Sequence, residues 1–324
     1  MLAVGANGAG KTNLLESLHV GTQGFSPRTR SDAELIRFGS EAAHIRLDGS
    51  LGQTPTRITV GLSTTEGKKA EVNGAKLRAA EQLRSETATL VFTPDRLAIV
   101  KAGPAARRAY FDRSLSRLLP ARATVPGDYA SALAQRNAAL KRGDRDAVSP
   151  WTEQVARFGA ELVAAREEAL ALLDPPFSER AGELGLESAR LGYEGEPPSV
   201  AALEERLDRD LDRGATGLGP HLHDVSIAAG TRDLRSFGSQ GEQRTAVLAL
   251  LLAEAALIAE RREEAPLLLL DDVLSELDPT RRRVLVDQLT GRGQTLITST
   301  TADALPGTPA QLLEVTPGEV RWSA

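Results

Sequence analysis

The chain has 324 residues, 41% of them hydrophobic and 26% charged, which is the balance of a soluble globular protein with room for one large domain or two modest ones. It has no cysteine, which excludes disulfides, Cys-ligated zinc and thiol chemistry, and its longest apolar run, near Ala246 to Leu257, is too short to span a bilayer. With no basic, apolar leader in view the expected compartment is the cytoplasm, and a net charge of −5 argues against a uniformly basic coat while leaving room for a local basic stripe.

Residues 1 to 20 read as a short apolar strand, Met1 to Val4, a Gly-rich turn, and a helix carrying Leu14, Leu15 and Leu18. Residues 44 to 74 alternate apolar and polar around Ile45/Leu47 and Ile58/Val60/Leu62. They end in Asn73-Gly74, a tight-turn pair, so antiparallel strands are expected. Leu90 to Phe92 reads as a further strand. From Ala105 to Asp212 the period becomes helical: Val155, Phe158, Leu162, Ala165, Ala169 and Leu172 recur at three- and four-residue steps. Gly143, Ser149-Pro150, Pro175-Pro176 and Glu196-Pro197-Pro198 are the expected breaks. Strand texture returns at Val225 to Ala228. A helix from Gly241 follows, then a strand over Pro266 to Leu270, a helix around Arg281 to Leu289 and a last strand, Gln294 to Thr298. Strands alternating with helices at both ends predict an α/β domain over 1–104 and 215–324, interrupted by a helical arm over 105–214.

Three stretches carry chemistry. Gly5-Ala6-Asn7-Gly8-Ala9-Gly10-Lys11-Thr12 fits G-x-x-x-x-G-K-[ST] between a strand and a helix. Its glycines let backbone N–H groups wrap phosphates at a helix N-terminus; Lys11 would reach the terminal phosphates of ATP, and Thr12 would bind Mg²⁺. Asn13, the next residue, is grouped with the same cradle. Leu267-Leu268-Leu269-Leu270-Asp271-Asp272 is an apolar strand ending in two carboxylates, Asp271 for the metal and Asp272 to orient or deprotonate water. Gly238-Ser239-Gln240-Gly241-Glu242 precedes a long helix and matches the ABC signature at its Ser, its second Gly and its polar last position, marking Ser239, Gly241 and Glu242 as nucleotide contacts. P-loop, signature, Asp271-Asp272 and then Ser275-Glu276-Leu277-Asp278 as a D-loop is the order of ABC ATPases.

In these stretches, and in Ala33-Glu34-Leu35-Ile36-Arg37-Phe38-Gly39, Gly103-Pro104-Ala105-Ala106-Arg107-Arg108, Gln135-Arg136-Asn137 and Gly219-Pro220-His221, the chain resembles the RecF family. The resemblance implies a P-loop ABC/SMC-like ATPase head with an inserted α-helical arm, slow ATP hydrolysis as a switch, and an ATP-dependent homodimer in which the signature meets the nucleotide of the opposite subunit. It also implies binding of single-stranded DNA and gapped duplex, and partners of the RecO/RecR mediator type, with no membrane role. The chain departs from the family pattern in three places. It begins at the P-loop strand, so either the start is misassigned or the sheet is short of the family's leading strands. The G-P-H-R-D-D pattern reads Gly219-Pro220-His221-Leu222-His223-Asp224, and P-E-D-L reads Pro94-Asp95-Arg96-Leu97.

Thr298-Ser299-Thr300-Thr301 stand where a transporter ATPase carries its switch histidine, which weighs against that alternative. The arm is too short and too proline-broken for the long coil of an SMC or Rad50 head. An inactive scaffold, truncated of its leading strands, is the remaining alternative. Arg28/Arg30, Arg107/Arg108 and Arg281-Arg282-Arg283 are candidate DNA phosphate contacts. His221 and His223 could suggest a metal pair, but no third ligand lies nearby, and structural roles are expected for both.

Overall fold

The computed structural model describes residues 1–29 and 31–323, in two compact units: Met1–Arg96 with Ile258–Ala324, and Leu97–Leu257. The boundaries read from composition, 104/105 and 214/215, both lie inside the second unit.

The first unit opens with β1 (Leu2–Val4), the P-loop and α1 (Lys11–Gln23). An antiparallel meander follows, β2 (Ala42–Leu51), β3 (Thr54–Ser63), β4 (Gly67–Val72) and the short β5 (Ala75–Lys76), then α2 (Leu83–Glu86) and β6 (Thr89–Phe92). The chain next forms the second unit: α3 (Ala98–Lys101), α4 (Pro104–Leu118), α5 (Val125–Arg142) and α6 (Arg145–Glu183), then β7 (Ala189–Glu194), α7 (Val200–Glu205) and α8 (Leu207–Arg213). It continues with β8 (Asp224–Ala229), β9 (Arg232–Asp233), α9 (Leu234–Phe237) and most of α10 (Gln240–Arg262). The first unit is then completed by β10 (Leu267–Leu270), α11 (Pro279–Leu289), β11 (Thr295–Ser299), β12 (Leu312–Thr316) and β13 (Glu319–Ser323).

The first unit is built on a six-stranded sheet of order β13-β12-β1-β11-β10-β6, parallel except for the β12–β13 hairpin. Parallel strands buried on both faces read as continuous apolar runs, and Leu267 to Leu270 is such a run. The P-loop strand β1 pairs with β11 on one side and β12 on the other, so it is interior to the sheet. Ala3, Leu15, Val91, Leu269, Leu296, Leu313 and Val315 form the core of this layer. A second core lies under the meander, where Ile58, Val60 and Leu62 of β3 alternate inward against Val20 of α1. Asn73 (φ 49°) and Gly74 (φ 81°) both take the left-handed conformation that a tight two-residue hairpin turn needs, and Val72 pairs with Ala75 across them. Helix α1 is tied to β6 and the residues before it by Gln23 Nε2 donating to Thr87 O (2.9 Å) and Thr89 Oγ1 donating to Thr22 Oγ1 (2.9 Å).

The second unit corrects the sequence reading at the prolines. Helix α6 runs through Pro150, Pro175 and Pro176 without ending. An interior proline removes one ladder hydrogen bond and clashes with the preceding turn, at a cost of about 3 kcal/mol. Here the apolar face continues past the proline pair, with Leu170, Leu173, Phe177 and Ala181 all buried at helical spacing, and burial of about 2 kcal/mol for each large side chain offsets the loss. Strand β7, within the stretch read as helical, pairs antiparallel with β8. Its Leu191 N–H donates to Asp174 Oδ1 (2.7 Å), which stands just before Pro175 on α6. No helix among the described residues is long and apolar enough to cross a membrane.

Candidate nucleotide site

The parallel sheet delivers three strand ends to one edge. Residues 5–10 leave β1, Asp271 and Asp272 leave β10, and Thr298 and Ser299 close β11 between them. Ligands of open α/β sheets bind outside such carboxyl ends.

The loop after β1 turns into α1 through Gly8 (φ 80°) and Gly10 (φ 106°), and a Cβ at either would meet nothing within 4 Å. The backbone there is left-handed and bare, as a wrap around phosphates requires. At Gly5 the constraint is contact: a Cβ would sit 2.3 Å from the carbonyl oxygen of Val315. Leu14 N–H makes the first α1 ladder bond, to Gly10 O at 3.0 Å, which leaves the amides of Lys11, Thr12 and Asn13 ahead of the ladder. Gly10 offers no side chain to cap them, so they point their partial positive charge at the loop. Ala6, Asn7, Gly8 and Asn13 are exposed, whereas Lys11 is buried, its Nζ donating to Gly5 O (2.7 Å) and Ala6 O (3.0 Å).

Thr12 Oγ1 donates to Asp271 Oδ2 at 2.9 Å, joining residues 259 apart in sequence. The other oxygen, Asp271 Oδ1, accepts from Thr298 Oγ1 (2.7 Å), and the same Thr298 hydroxyl accepts from the Asp272 N–H (2.9 Å). Thr298 is fully buried, so this one hydroxyl sets the position of both carboxylate-bearing residues. Sequence reasoning saw in Thr298 only a missing histidine; its place at the end of a buried strand was the available signal. Asp272 holds a left-handed backbone (φ 50°, ψ 27°), uncommon outside glycine, and its Oδ1 is buried with no hydrogen-bond partner among the described residues. An unpaired buried carboxylate oxygen on a strained backbone is the pattern of a functional group held ready. The paired oxygens of Thr12 and Asp271 are hard donors of the kind Mg²⁺ takes, so the residues present fit that ion.

The signature stretch lies in the second unit. Ser239 and Glu242 cap α10 reciprocally: Glu242 N–H donates to Ser239 Oγ (3.2 Å), and Ser239 N–H donates to Glu242 Oε2 (2.8 Å). Arg232 Nη2 donates to Glu242 Oε1 at 2.8 Å. The Arg232 guanidinium and the Ser239 amide hold the Glu242 carboxyl down at about 2. Because the Ser239 oxygen accepts from the helix amide, its own O–H is directed elsewhere, and Ser239 is exposed. The S-x-x-E spacing of this box is legible in the sequence.

Five of the candidate DNA contacts already have partners within the chain. Arg107 is buried, donates to Asp224 Oδ1 (2.8 Å) through Nε, and reaches Val100 O and Ala102 O through Nη1. Arg282 Nε donates to Leu274 O (2.8 Å) and Leu277 O (2.9 Å). Arg28 pairs with Glu16 (3.3 Å), Arg108 donates to His223 O (2.6 Å), Arg281 pairs with Asp278 (3.6 Å), and Arg283 is exposed. Arg30 lies outside the described residues. The two histidines each meet a tyrosine, His221 Nδ1 with Tyr129 Oη (2.7 Å) and His223 Nδ1 with Tyr193 Oη (2.8 Å), and burial lowers the pKa of both imidazoles. Arg136 of the Gln-Arg-Asn motif is fully buried against Asp210 (2.8 Å).

Residues 1–321 match the family described as "RecF/RecN/SMC N terminal domain". The DNA replication and repair protein RecF of Heliobacterium modesticaldum is 38% identical over 328 residues, covering 95% of this chain and 88% of that protein. The chain belongs to the RecF family. RecF of Limosilactobacillus reuteri is similar at 34% identity, with 92% and 85% covered. A solved structure described as the recombination mediator protein RecF-ATPrS in the RecFOR pathway superposes with a TM-score of 0.87 at 30% identity, covering 100% of this chain and 91% of that one. An Smc head domain derived from Pyrococcus furiosus shares the fold, with a TM-score of 0.58 at 15% identity. The chain is thus a member of a family of DNA replication and repair proteins with the α/β ATPase fold of SMC heads.

Proposed function

We propose that this RecF-family chain is an ATP-switched clamp on DNA. The observation that carries the reading is the joining of Thr12 to Asp271 at 2.9 Å beside the bare Gly8–Gly10 loop, which brings a phosphate cradle and a metal-type carboxylate to one sheet edge. Residues 5–13 cradle the phosphates of ATP, with Lys11 exchanging its loop carbonyls for phosphate oxygens. Thr12 and Asp271 are the residues that would hold Mg²⁺, which when bound neutralises phosphate charge. Asp272, with its unpaired oxygen, orients the attacking water. Ser239, Gly241 and Glu242 of a second copy complete the site, so that nucleotide binds the dimer better than the monomer. A nucleotide at about a hundredfold over its dissociation constant favours the closed state by about 2.7 kcal/mol per site. The solved relatives described with ATP and ATPrS support the nucleotide, and the family's repair role supports DNA, single-stranded or gapped, with mediator partners of the RecO/RecR type.

Sedimentation of the chain with and without ATP and Mg²⁺, in the presence of a short gapped duplex, tests the clamp. A nucleotide-dependent shift from monomer to dimer that carries DNA with it is the expected result. Ser239→Arg should still bind nucleotide yet stay monomeric; dimerisation of that variant at the normal ATP concentration would remove the signature from the site.

A further inference from the structure

The D-loop residues Ser275–Asp278 follow Asp272, and a misplacement of about 1 Å in a group that orients a reactant can cost about a hundredfold in rate. The segment is a single 3₁₀ turn, Val273–Glu276, too short to hold itself: its closing bond, Leu277 N–H to Leu274 O, is long at 3.4 Å. Such a turn leaves carbonyls without partners at its end. Both Leu274 O and Leu277 O accept from one donor, Arg282 Nε, at 2.8 and 2.9 Å. Arg282 lies on the first turns of α11, whose start is fixed by Asp278 accepting from the amides of Thr280 and Arg281 at 2.9 and 3.0 Å. At the other end, Ser275 Oγ donates to the carbonyl of Asp272 at 2.9 Å. A continuous set of bonds therefore runs from the guanidinium through the turn to the residue whose left-handed backbone needs outside support.

We propose that Arg282 is a positioning residue: it clasps the D-loop to α11 and thereby holds Asp272 in register for catalysis. The second half of that statement rests on the nucleotide reading above. The first half stands on geometry alone. The guanidinium suits the task because its planar Nε–H is fixed in direction, whereas a lysine ammonium keeps the charge on a flexible stem.

Hydrogen exchange and steady-state ATP hydrolysis on the full chain, comparing wild type, Arg282→Ala and Arg282→Lys, test both halves. In both variants the amides of residues 273–278 should exchange about tenfold faster, with β1, β10 and β11 protected as in wild type, which also reports correct folding. The kcat should fall by about ten- to a hundredfold with KM for ATP within about twofold, because the displaced group acts on the reaction and not on binding. Unchanged exchange over 273–278 overturns the clasp. Faster exchange with unchanged kcat overturns its role in positioning Asp272, as does full activity of Arg282→Lys alongside an opened turn. A wild-type chain that binds no nucleotide would instead overturn the ATPase reading, while the exchange comparison still decides the clasp.

Discussion

Thr298 shows how much one buried hydroxyl can organise. It donates to Asp271 Oδ1 and accepts from Asp272 N–H, so the Asp271 carboxylate and the Asp272 backbone both depend on a neighbour that the sequence places 27 and 26 residues away. Thr298→Val keeps the shape and removes both bonds, leaving a buried acceptor and a buried amide unsatisfied. Denaturant unfolding of the first unit should register a loss of about 1–3 kcal/mol. Hydrolysis of ATP should fall with it, more than the stability loss alone accounts for at a temperature where the variant is folded. Arg136 makes the same point in the second unit. Its guanidinium meets Asp210 and Thr216 at 2.8 Å and Thr152 at 3.1 Å, with the ion pair almost wholly out of solvent. Arg136→Met strands the Asp210 charge, and the expected cost is about 3–5 kcal/mol in urea unfolding. A loss below 1 kcal/mol would mean that water reaches the pair.

At the scale of the element, the N-terminus of α10 carries a carboxylate whose charge is part of the cap. Glu242 is held well below its usual 4.5, at about 2, by the Arg232 guanidinium and the Ser239 amide. A folded pKa below the unfolded one means that the stabilisation is complete above about pH 4.5 and drains away as pH falls towards 2. Glu242→Gln retains a capping side chain without the charge. The stability difference between wild type and this variant should therefore be constant above pH 5 and shrink steadily below it. A difference that stays flat down to pH 3 would show that the hydrogen bonds, and not the charge, make the cap. Helix α6 belongs to the same scale. Proline rules predicted its end at Pro175, and continued burial of Phe177 and Ala181 overrode them.

For the whole molecule, the internal use of Arg107 and Arg282 lowers the number of cations left for DNA. Arg28, Arg108, Arg281 and Arg283 remain among the described candidates, the first three already bonded within the chain. Each phosphate neutralised on duplex DNA contributes roughly −0.9 to the slope of log K against log salt, so a slope shallower than roughly −4 per protomer is expected. A salt titration of duplex binding with a steeper slope would place the DNA surface on other lysines and arginines, a result that leaves the nucleotide site untouched.

Much of the site was legible before folding because its parts are local. A P-loop needs small residues, a lysine and a hydroxyl within eight positions; a metal-type strand end needs an apolar run and a carboxylate; a capping box needs Ser239 and Glu242 three apart. The turn at Asn73-Gly74 and the alternation of β3 are local in the same sense. What tertiary structure alone decided is long-range: β11 lying between β1 and β10, the β12–β13 hairpin, and α6 passing through its prolines. It also decided which polar side chains meet, so that Thr298 serves two aspartates, Arg107 belongs to Asp224 and Arg282 to the D-loop. Residue type and short spacing encode what a segment can do, but an arginine's partner is set by which carbonyls and carboxylates the packed chain leaves unsatisfied within its reach.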